Sequence, residues 1–168
     1  MVKVCSFTGH RAIEPHHREG MVELLMRAIA FAYDEGCRAF YIGGALGFDT
    51  HAAQQVLLFR MSHPDVTMNL VLPCRDQADK WGAAQADMYE YLLSQADTVE
   101  YVADLYTPGC MRTRNMRLAS LCDIMIAYVG RERSGASQTA RMATQLGKRV
   151  YNLYPALESG EHMLTTQA

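Results

Sequence analysis

The sequence lacks paired cysteines and has no long apolar run. It contains five cysteines among 168 residues, an odd number with no C-x-x-C pair, which indicates neither a disulfide framework nor a zinc site built on closely spaced thiolates. We therefore expect reduced thiols packed as small apolar residues, and no metal site. No apolar run approaches the ~20 residues of a membrane span, and no signal peptide precedes Val2. These absences predict a cytoplasmic protein that does not contact membranes.

An excess of charge of either sign is also missing. Sixteen basic and eighteen acidic residues give a net charge of -2. Non-specific binding to nucleic acid depends on neutralising phosphates, so the overall charge does not favour a protein that coats nucleic acid, although a local basic patch stays open. The length suits one domain with one core.

Short apolar segments alternate with segments of helical periodicity along the chain. The pattern predicts strands at 2–7, 38–42, 66–72, 98–102, 123–129 and 149–154, and helices at 14–35, 52–61, 78–95, 112–121 and 138–146. This order implies right-handed βαβ units. We predict an α/β protein with a Rossmann-like, doubly wound, mainly parallel sheet and helices on both faces. A single domain would span 1–155, followed by a loosely ordered tail at 156–168.

Ligands of such folds bind beyond the carboxyl ends of the strands, and the first strand ends there in "FTGHR". Thr8, Gly9, His10 and Arg11 are therefore candidate binding residues. Gly9 allows a tight turn, and the Arg11 guanidinium could fork onto a phosphate or carboxylate. Alternatively, His10 caps or packs and Arg11 is solvated.

The second strand ends in "YIGGALGFDTHAA", which opens a helix. Its small residues permit close backbone approach to a ligand; they are Gly43, Gly44, Ala45 and Gly47. Asp49 or Thr50 would be the N-cap of the helix, whose free amides form an anion site. Asp49 could equally accept a hydrogen bond from a ribose hydroxyl, and both roles stay open. The spacing differs from the dinucleotide fingerprint G-x-G-x-x-G.

The third and fourth strand ends carry arginines. Arg75 follows the third strand and is a candidate ligand contact. Trp81 comes shortly afterwards and could stack on a base, or pack in the core or a lid. Arginines at 112, 114 and 117 follow the fourth strand, where they form a solvated helix face or contact an anion.

The fifth strand leads into "YVGRERSGASQTAR". Ser134, Gly135, Ser137 and Thr139 open the next helix, and small or hydroxylated residues at a helix start suit a phosphate. A hydroxyl-capped helix without a ligand is the alternative. Three such loops on one rim together predict a pocket for an anionic, phosphate-bearing ligand.

The second half of the chain resembles a known family. The segment from "RNMRLASLCDIMIAYV" through "SGASQTAR" to "GKRVYNLYP" is similar to the core of the DNA-processing protein A (Smf) family, which reads RNR, an apolar strand, SGSLITAR and a Gly-Arg-x-Val strand. The family's SGLARGIDTAAH matches Gly44, Gly47, Asp49, Thr50 and Ala53. With "FTGHR" and "LPCRDQADKW", residues 2–155 resemble the YpsA-like branch of the SLOG superfamily.

The resemblance implies a Rossmann-like fold that binds nucleotides or nucleotide-derived ligands, with NAD or ADP-ribose as examples, and it favours a homodimer. It adds Arg114 and Asn115 to the pocket. The cytokinin-activating branch carries PGGxGTxxE, whose glutamate helps to cleave an N-glycosidic bond. Arg141 stands roughly at that glutamate's place here, so the catalytic residue of those hydrolases is not matched.

Three functions follow from these observations. The favoured one is a nucleotide-binding sensor or regulator without a fixed cofactor. The second is an enzyme acting on a glycosidic or phosphate bond of a nucleotide, with Asp49 or Glu132 as the carboxylate and Arg11 as the phosphate clamp. The third, less favoured, is a single-stranded DNA binder that uses an arginine track formed by Arg75, Arg112, Arg114 and Arg117.

Overall fold

The computed structural model describes residues 2–160 and contains one six-stranded sheet. The strands are β1 (Lys3–Gly9), β2 (Cys37–Ile42), β3 (Thr67–Leu72), β4 (Thr98–Tyr101), β5 (Ile124–Tyr128) and β6 (Arg149–Asn152). The helices are α1 (Arg18–Asp34), α2 (Phe48–Ser62), α3 (Ala83–Gln95), α4 (Cys110–Leu121), α5 (Gly135–Gln145) and α6 (Tyr154–Ser159). A 3₁₀ helix at Pro15–His17 precedes α1.

The strand order is β4-β3-β2-β1-β5-β6, and every neighbouring pair is parallel. The chain moves outward from β1 to β4 and then returns to place β5 on the other side of β1. This reversal opens a crevice at the carboxyl ends of β1 and β5, where ligands of doubly wound folds bind. The predicted Rossmann-like α/β fold is confirmed, and the sheet is wholly parallel rather than mainly so.

Helices cover both faces of the sheet. Ile124 and Ile126 of β5 pack into the larger core, which includes residues of α1 and α2. Met125, which lies between them, packs with Ala119 of α4 and Ala143 of α5. This alternation along one strand explains why β5 is apolar at every position, because both of its faces are buried.

Several predicted boundaries differ from the structure at helix starts. Helix α2 begins at Phe48 instead of residue 52, and α5 begins at Gly135 instead of residue 138. The first turn of α5 consists of small or polar residues, and that of α2 contains a single apolar residue, Phe48, so apolar periodicity does not show either start. Helix α3 is shorter than predicted, because 78–82 form turns before it starts at Ala83.

The segment after Pro155 is helical, contrary to our expectation of loose order there. Pro155 lies in the first turn of α6, where a missing N–H costs no hydrogen bond, and Leu157 is buried against the core. Proline therefore marks a helix start here rather than the end of order. Residues 161–168 of the predicted tail lie outside the described residues.

The thiols follow the sequence prediction. All five cysteines are free and buried, and burial raises the pKa of the Cys37 thiol to about 11. Within residues 2–160, none of the helices combines the length and the apolar character that a membrane crossing needs.

Candidate functional site

A cleft of about 320 Å³ lies at the carboxyl ends of β1 and β5. It is lined by Phe7, Thr8, Gly9, His10, Arg11, Ala45, Asp49, Met111, Arg114, Asn115, Leu118, Arg131, Ser134, Gly135 and Ala136. Four segments far apart in sequence meet here: the end of β1, the β2–α2 loop, α4, and the β5–α5 loop. The strand-order reversal brings these segments together.

Two buried charges form the floor of the cleft. Asp49 and Arg114 are both about 95% shielded from solvent, at 5% and 6% exposure. Ala45 N donates to Asp49 Oδ2 at 3.1 Å, and Arg114 Nη1 donates to the carbonyl oxygen of Gly43. Arg114 Nε donates to Asn115 Oδ1 at 2.8 Å. The Arg114 side chain of α4 therefore holds the backbone of the glycine-rich loop.

Glycine is needed at position 43 because these two charged side chains approach it closely. A Cβ added to Gly43 would lie 2.7 Å from Arg114 Nη1 and 3.0 Å from Asp49 Oδ2. Both side chains are packed in the interior, so neither has room to give way. The sequence predicted close backbone approach at this glycine, and the partner is a protein side chain.

Asp49 and Thr50 are not the N-cap of α2, so this prediction was wrong. The N-cap is Gly47, whose φ of 76° belongs to the left-handed region that favours glycine. Asp49 lies in the first turn, and its carboxylate folds back to the Ala45 amide, while Thr50 Oγ1 donates to the Ala45 carbonyl at 3.1 Å. Asp49 Oδ1 is buried and has no hydrogen-bond partner within the described part of the chain.

Burial raises the pKa of Asp49 from 3.8 to about 6, and the nearby Arg114 guanidinium only partly opposes this effect. The carboxyl group is thus harder to ionise than an exposed aspartate. Burial also lowers the pKa of Arg114, although the Asp49 charge counteracts it. Each charge therefore partly offsets the effect of burial on the other.

The raised pKa of Asp49 predicts a pH dependence of stability. Between pH 3.8 and about 6 the folded protein binds the Asp49 proton more tightly than the unfolded chain does. Asp49 therefore contributes its full stabilisation below the unfolded pKa, and this contribution is lost as pH rises through the folded pKa. At about 1.4 kcal/mol per pKa unit, the loss is at most about 3 kcal/mol.

Urea unfolding of wild type and Asp49→Asn between pH 4.5 and 8 measures this effect. The wild type should lose stability relative to Asp49→Asn as the pH increases. Asp79→Asn, at an exposed position, serves as the control and should follow the wild type. Parallel curves for wild type and Asp49→Asn would contradict the raised pKa.

His10 supplies a second polar atom without a partner. Gly130 N donates to His10 Nε2 at 2.8 Å, so the neutral ring carries its proton on Nδ1. Burial, followed by the charge of Arg131, lowers the pKa of His10. Nδ1 is buried and has no partner among residues 2–160. Buried polar groups are normally hydrogen-bonded, so this donor and the Asp49 Oδ1 acceptor both indicate a polar ligand.

The start of α5 forms the opposite wall. Ser134 is the N-cap of a capping box, in which Ser137 N donates to Ser134 Oγ and Ser134 N donates to Ser137 Oγ, each at 3.0 Å. The first amides of a helix have no partner within it, and Gly135 and Ala136 line the cleft. The wall therefore presents backbone donors and the positive end of a helix dipole.

The structure brings ten of the sixteen predicted ligand-binding residues into the lining of the cleft. They are Thr8, Gly9, His10, Arg11, Ala45, Asp49, Arg114, Asn115, Ser134 and Gly135. Gly43, Gly44 and Gly47 shape the adjoining loop. The Ser137 hydroxyl takes part in the capping box, and Thr139 Oγ1 donates to the Gly135 carbonyl at 2.7 Å. These two hydroxyls stabilise the helix start and do not line the cleft.

Other predicted residues lie outside the cleft. Arg75 is exposed, pairs with Asp104 at 2.9 Å and lies over the Tyr101 ring. Glu132 is exposed and not among the lining residues. Trp81 packs edge-on against Tyr89. This contact agrees with the predicted packing role of Trp81 and not with a role in stacking on a base.

Of the three arginines after β4, only Arg114 reaches the cleft. Arg117 pairs with Glu100 at 3.0 Å, and Arg112 is exposed. Arg131 also lines the cleft and was not among the predicted binding residues. It stands three residues before Ser134 in the predicted binding segment "YVGRERSGASQTAR", where its positive charge is the signal that could have identified it.

The chain is an all-parallel doubly wound α/β protein with a polar cleft at its topological switch point, where such folds bind their ligands. The family model YpsA, described as the YspA SLOG family, matches residues 7–154. The chain therefore belongs to the YspA SLOG family.

The chain is also similar to proteins of known sequence and structure. UPF0398 proteins from Bacillus cereus (strain G9842) and Halalkalibacterium halodurans are each 25% identical over 144 residues, which cover 80% of this chain and 78% and 76% of theirs. DNA processing protein A from Helicobacter pylori, whose single-stranded DNA binding has been studied structurally, superposes with a TM-score of 0.64 at 21% identity, covering 94% of this chain and 73% of its own. The Streptococcus pneumoniae protein gives 0.60 at 19% identity, with coverages of 99% and 57%. At these identities the structural likeness concerns the fold alone.

Proposed function

We propose that the protein binds a nucleotide or a nucleotide-derived phosphate ligand in the cleft and acts as a sensor or regulator. The observation that carries this proposal is the pair of buried, unpartnered polar atoms, Asp49 Oδ1 and His10 Nδ1. Both residues line one cleft whose other wall is a helix N-terminus. A ligand with hydroxyls and a phosphate would satisfy both walls.

The phosphate would lie at the start of α5. The amides of Gly135 and Ala136 supply backbone donors there, and the exposed side chains of Arg11 and Arg131 supply positive charge at the mouth of the cleft. Guanidinium groups bind phosphates bidentately, so either arginine could clamp the ligand from the solvent side.

The sugar would lie over the floor. Asp49 Oδ1 can accept a hydrogen bond from a ribose hydroxyl, and His10 Nδ1–H can donate one to an oxygen of the ligand. The volume of about 320 Å³ is at the lower end of small-molecule sites and suits a mononucleotide-sized group. NAD or ADP-ribose would extend beyond the cleft. A homodimer and a cytoplasmic location stay predictions of the sequence.

Calorimetric titration with AMP, NAD and ADP-ribose tests the proposal. At least one probe should bind, and Arg11→Ala should weaken binding about tenfold because one charge-assisted phosphate contact is lost. Arg75→Ala is the matched control, since Arg75 is exposed at the same end of the sheet but paired with Asp104 outside the cleft. Equal losses in both variants, or no binding of any probe, would contradict the proposal.

Single-stranded DNA is the second candidate ligand, supported by the exposed arginines near the cleft and the likeness to DNA processing protein A. Arg11, Arg112, Arg131 and Arg133 are all exposed. Two arginines of the predicted track, Arg75 and Arg117, are instead paired with carboxylates. Binding of an oligonucleotide that falls steeply with salt would support this candidate, and a flat salt response would exclude it.

Turnover of a bound nucleotide is a third candidate function. The raised pKa of Asp49 makes Asp49 a better candidate for its catalytic carboxylate than Glu132. Among residues 2–160, Asp49 is the only carboxylate that lines the cleft, whereas Glu132 is exposed. A carboxyl group with a pKa of about 6 is suited to general acid–base catalysis near neutral pH. Product formation that disappears in Asp49→Asn would establish this activity, and activity that persists there would exclude Asp49 as the catalytic group.

A further inference from the structure

A second polar cluster lies apart from the residues that line the cleft. His16 and His17 belong to the 3₁₀ helix, and Glu158 belongs to α6. The Nε2 atoms of His16 and His17 lie 2.9 and 2.6 Å from the same oxygen, Glu158 Oε2. One potential ligand atom from each of the three side chains lies within 4.8 Å of the other two. The fold thus converges two imidazoles and one carboxylate on a single point.

The ring of His17 is rigidly placed. Its side chain is fully buried, and the ring packs edge-on against Tyr154 with centroids 4.7 Å apart. His17 Nδ1 lies 2.7 Å from Tyr128 Oη, which also accepts a hydrogen bond from Glu14 N. Tyr128 is itself fully buried. These contacts fix the ring so that its Nε2 points out of the core, toward the partly exposed Glu158.

The geometry of the cluster suits a shared cation. The His16 and His17 rings are 4.2 Å apart, and both Nε2 atoms face the same oxygen of Glu158. A divalent cation would accept the lone pairs of both Nε2 atoms and offset the carboxylate charge. His17 Nδ1–H would then donate to Tyr128 Oη, the kind of outer contact that orients metal-ligating histidines.

We propose that His16, His17 and Glu158 form a binding site for a divalent transition-metal ion of the Zn²⁺ class. Imidazole nitrogens prefer Zn²⁺, Co²⁺ or Ni²⁺, whereas Mg²⁺ and Ca²⁺ prefer sites made of oxygens. Two histidines and one glutamate are a known zinc donor set that leaves the fourth position for water. His16 and Glu158 are more than half exposed, so this position faces solvent.

The expectation of no metal site rested on the spacing of the cysteines alone. Glu158 is separated from His17 by 141 positions, so no local motif joins the ligands. The ion would clamp α6 to the segment before α1. Through Tyr128, whose ring lies 5.8 Å from that of His10, it would also fix one side of the cleft.

Calorimetric titration of the full chain with Zn²⁺, under a non-thiol reductant, tests this proposal. The wild type should bind one ion per chain with high affinity, and should not bind Mg²⁺ at the same concentration. His16→Gln and Glu158→Gln should each weaken Zn²⁺ binding at least tenfold, and the double variant should abolish it. Tyr128→Phe, which keeps the ring but removes the outer contact, should weaken it about 10- to 100-fold.

His63→Gln and Glu90→Gln are matched controls, because they make the same chemical changes away from the cluster. Both should bind Zn²⁺ like the wild type. A melting scan without metal verifies that each variant is folded. His17 is not substituted, because its side chain is fully buried and its replacement could unfold the protein. Absence of a stoichiometric Zn²⁺ site, or one that survives in the His16→Gln/Glu158→Gln double variant, would overturn the proposal.

Discussion

Replacing Arg114 with methionine should destabilise the protein by about 3–5 kcal/mol, the cost of leaving a buried charge uncompensated. Arg114 is buried beside Asp49 and donates to the Gly43 carbonyl. In Arg114→Met this carbonyl loses its partner and Asp49 loses its positive neighbour. The pKa of Asp49 should rise further, since the Arg114 charge is the main effect that now opposes burial.

Arg112→Met is the matched control for this substitution. Arg112 lies two residues earlier on α4 and is exposed, so the same change should alter stability by no more than about 0.5 kcal/mol. Urea unfolding at pH 8 compares the two variants with the wild type. Equal stabilities of Arg114→Met and Arg112→Met would show that the buried floor does not support the glycine-rich loop.

Replacing Gly47 with alanine should destabilise the protein by about 3–5 kcal/mol, since left-handed strain and a steric clash add together. Gly47 has a φ of 76°, and an added Cβ would lie 2.1 Å from the carbonyl oxygen of Arg11. That atom is backbone, so it cannot rotate away. The clash would push Arg11 and the β1–α1 segment out of position, so ligand binding in the cleft should fall as well.

Gly147→Ala is a control with a positive φ and no clash. Gly147 has a similar φ of 80°, and an added Cβ there would meet nothing within 4 Å. This control should therefore show only the cost of the left-handed conformation, about 1 kcal/mol. Thermal or urea unfolding of both variants measures the difference. A Gly47→Ala variant no less stable than Gly147→Ala would mean that the close approach to Arg11 is unimportant.

The fold could be predicted from the sequence because its signals are local. Six apolar segments alternate with helical periodicity, and this order alone favours parallel βαβ units. Helix starts were harder, because Gly47 and Ser134 begin α2 and α5 with turns that contain few apolar residues. Helix α6 was missed because proline occurs both at helix starts and after helix ends, so Pro155 did not distinguish the two.

The candidate site could be predicted only in part. The loops at strand ends pointed to Arg11, Asp49 and Ser134, because the carboxyl ends of parallel strands meet at one edge. The sequence could not show which arginine turns inward: Arg114 is buried and Arg75 is paired with Asp104. It also could not show the contact of His17 with Glu158, which depends on the packing of α6.

The central claim is that a phosphate-bearing ligand occupies the cleft between β1 and α5. The most direct measurement is the change in backbone amide NMR signals of the labelled protein on titration with AMP, NAD and ADP-ribose. At least one probe should shift the amides of Gly9–Arg11, Ala45–Asp49 and Ser134–Ala136 together and saturably, since these segments line or adjoin the cleft. If every probe left these three segments unchanged, or shifted only amides elsewhere, the cleft would not be the binding site.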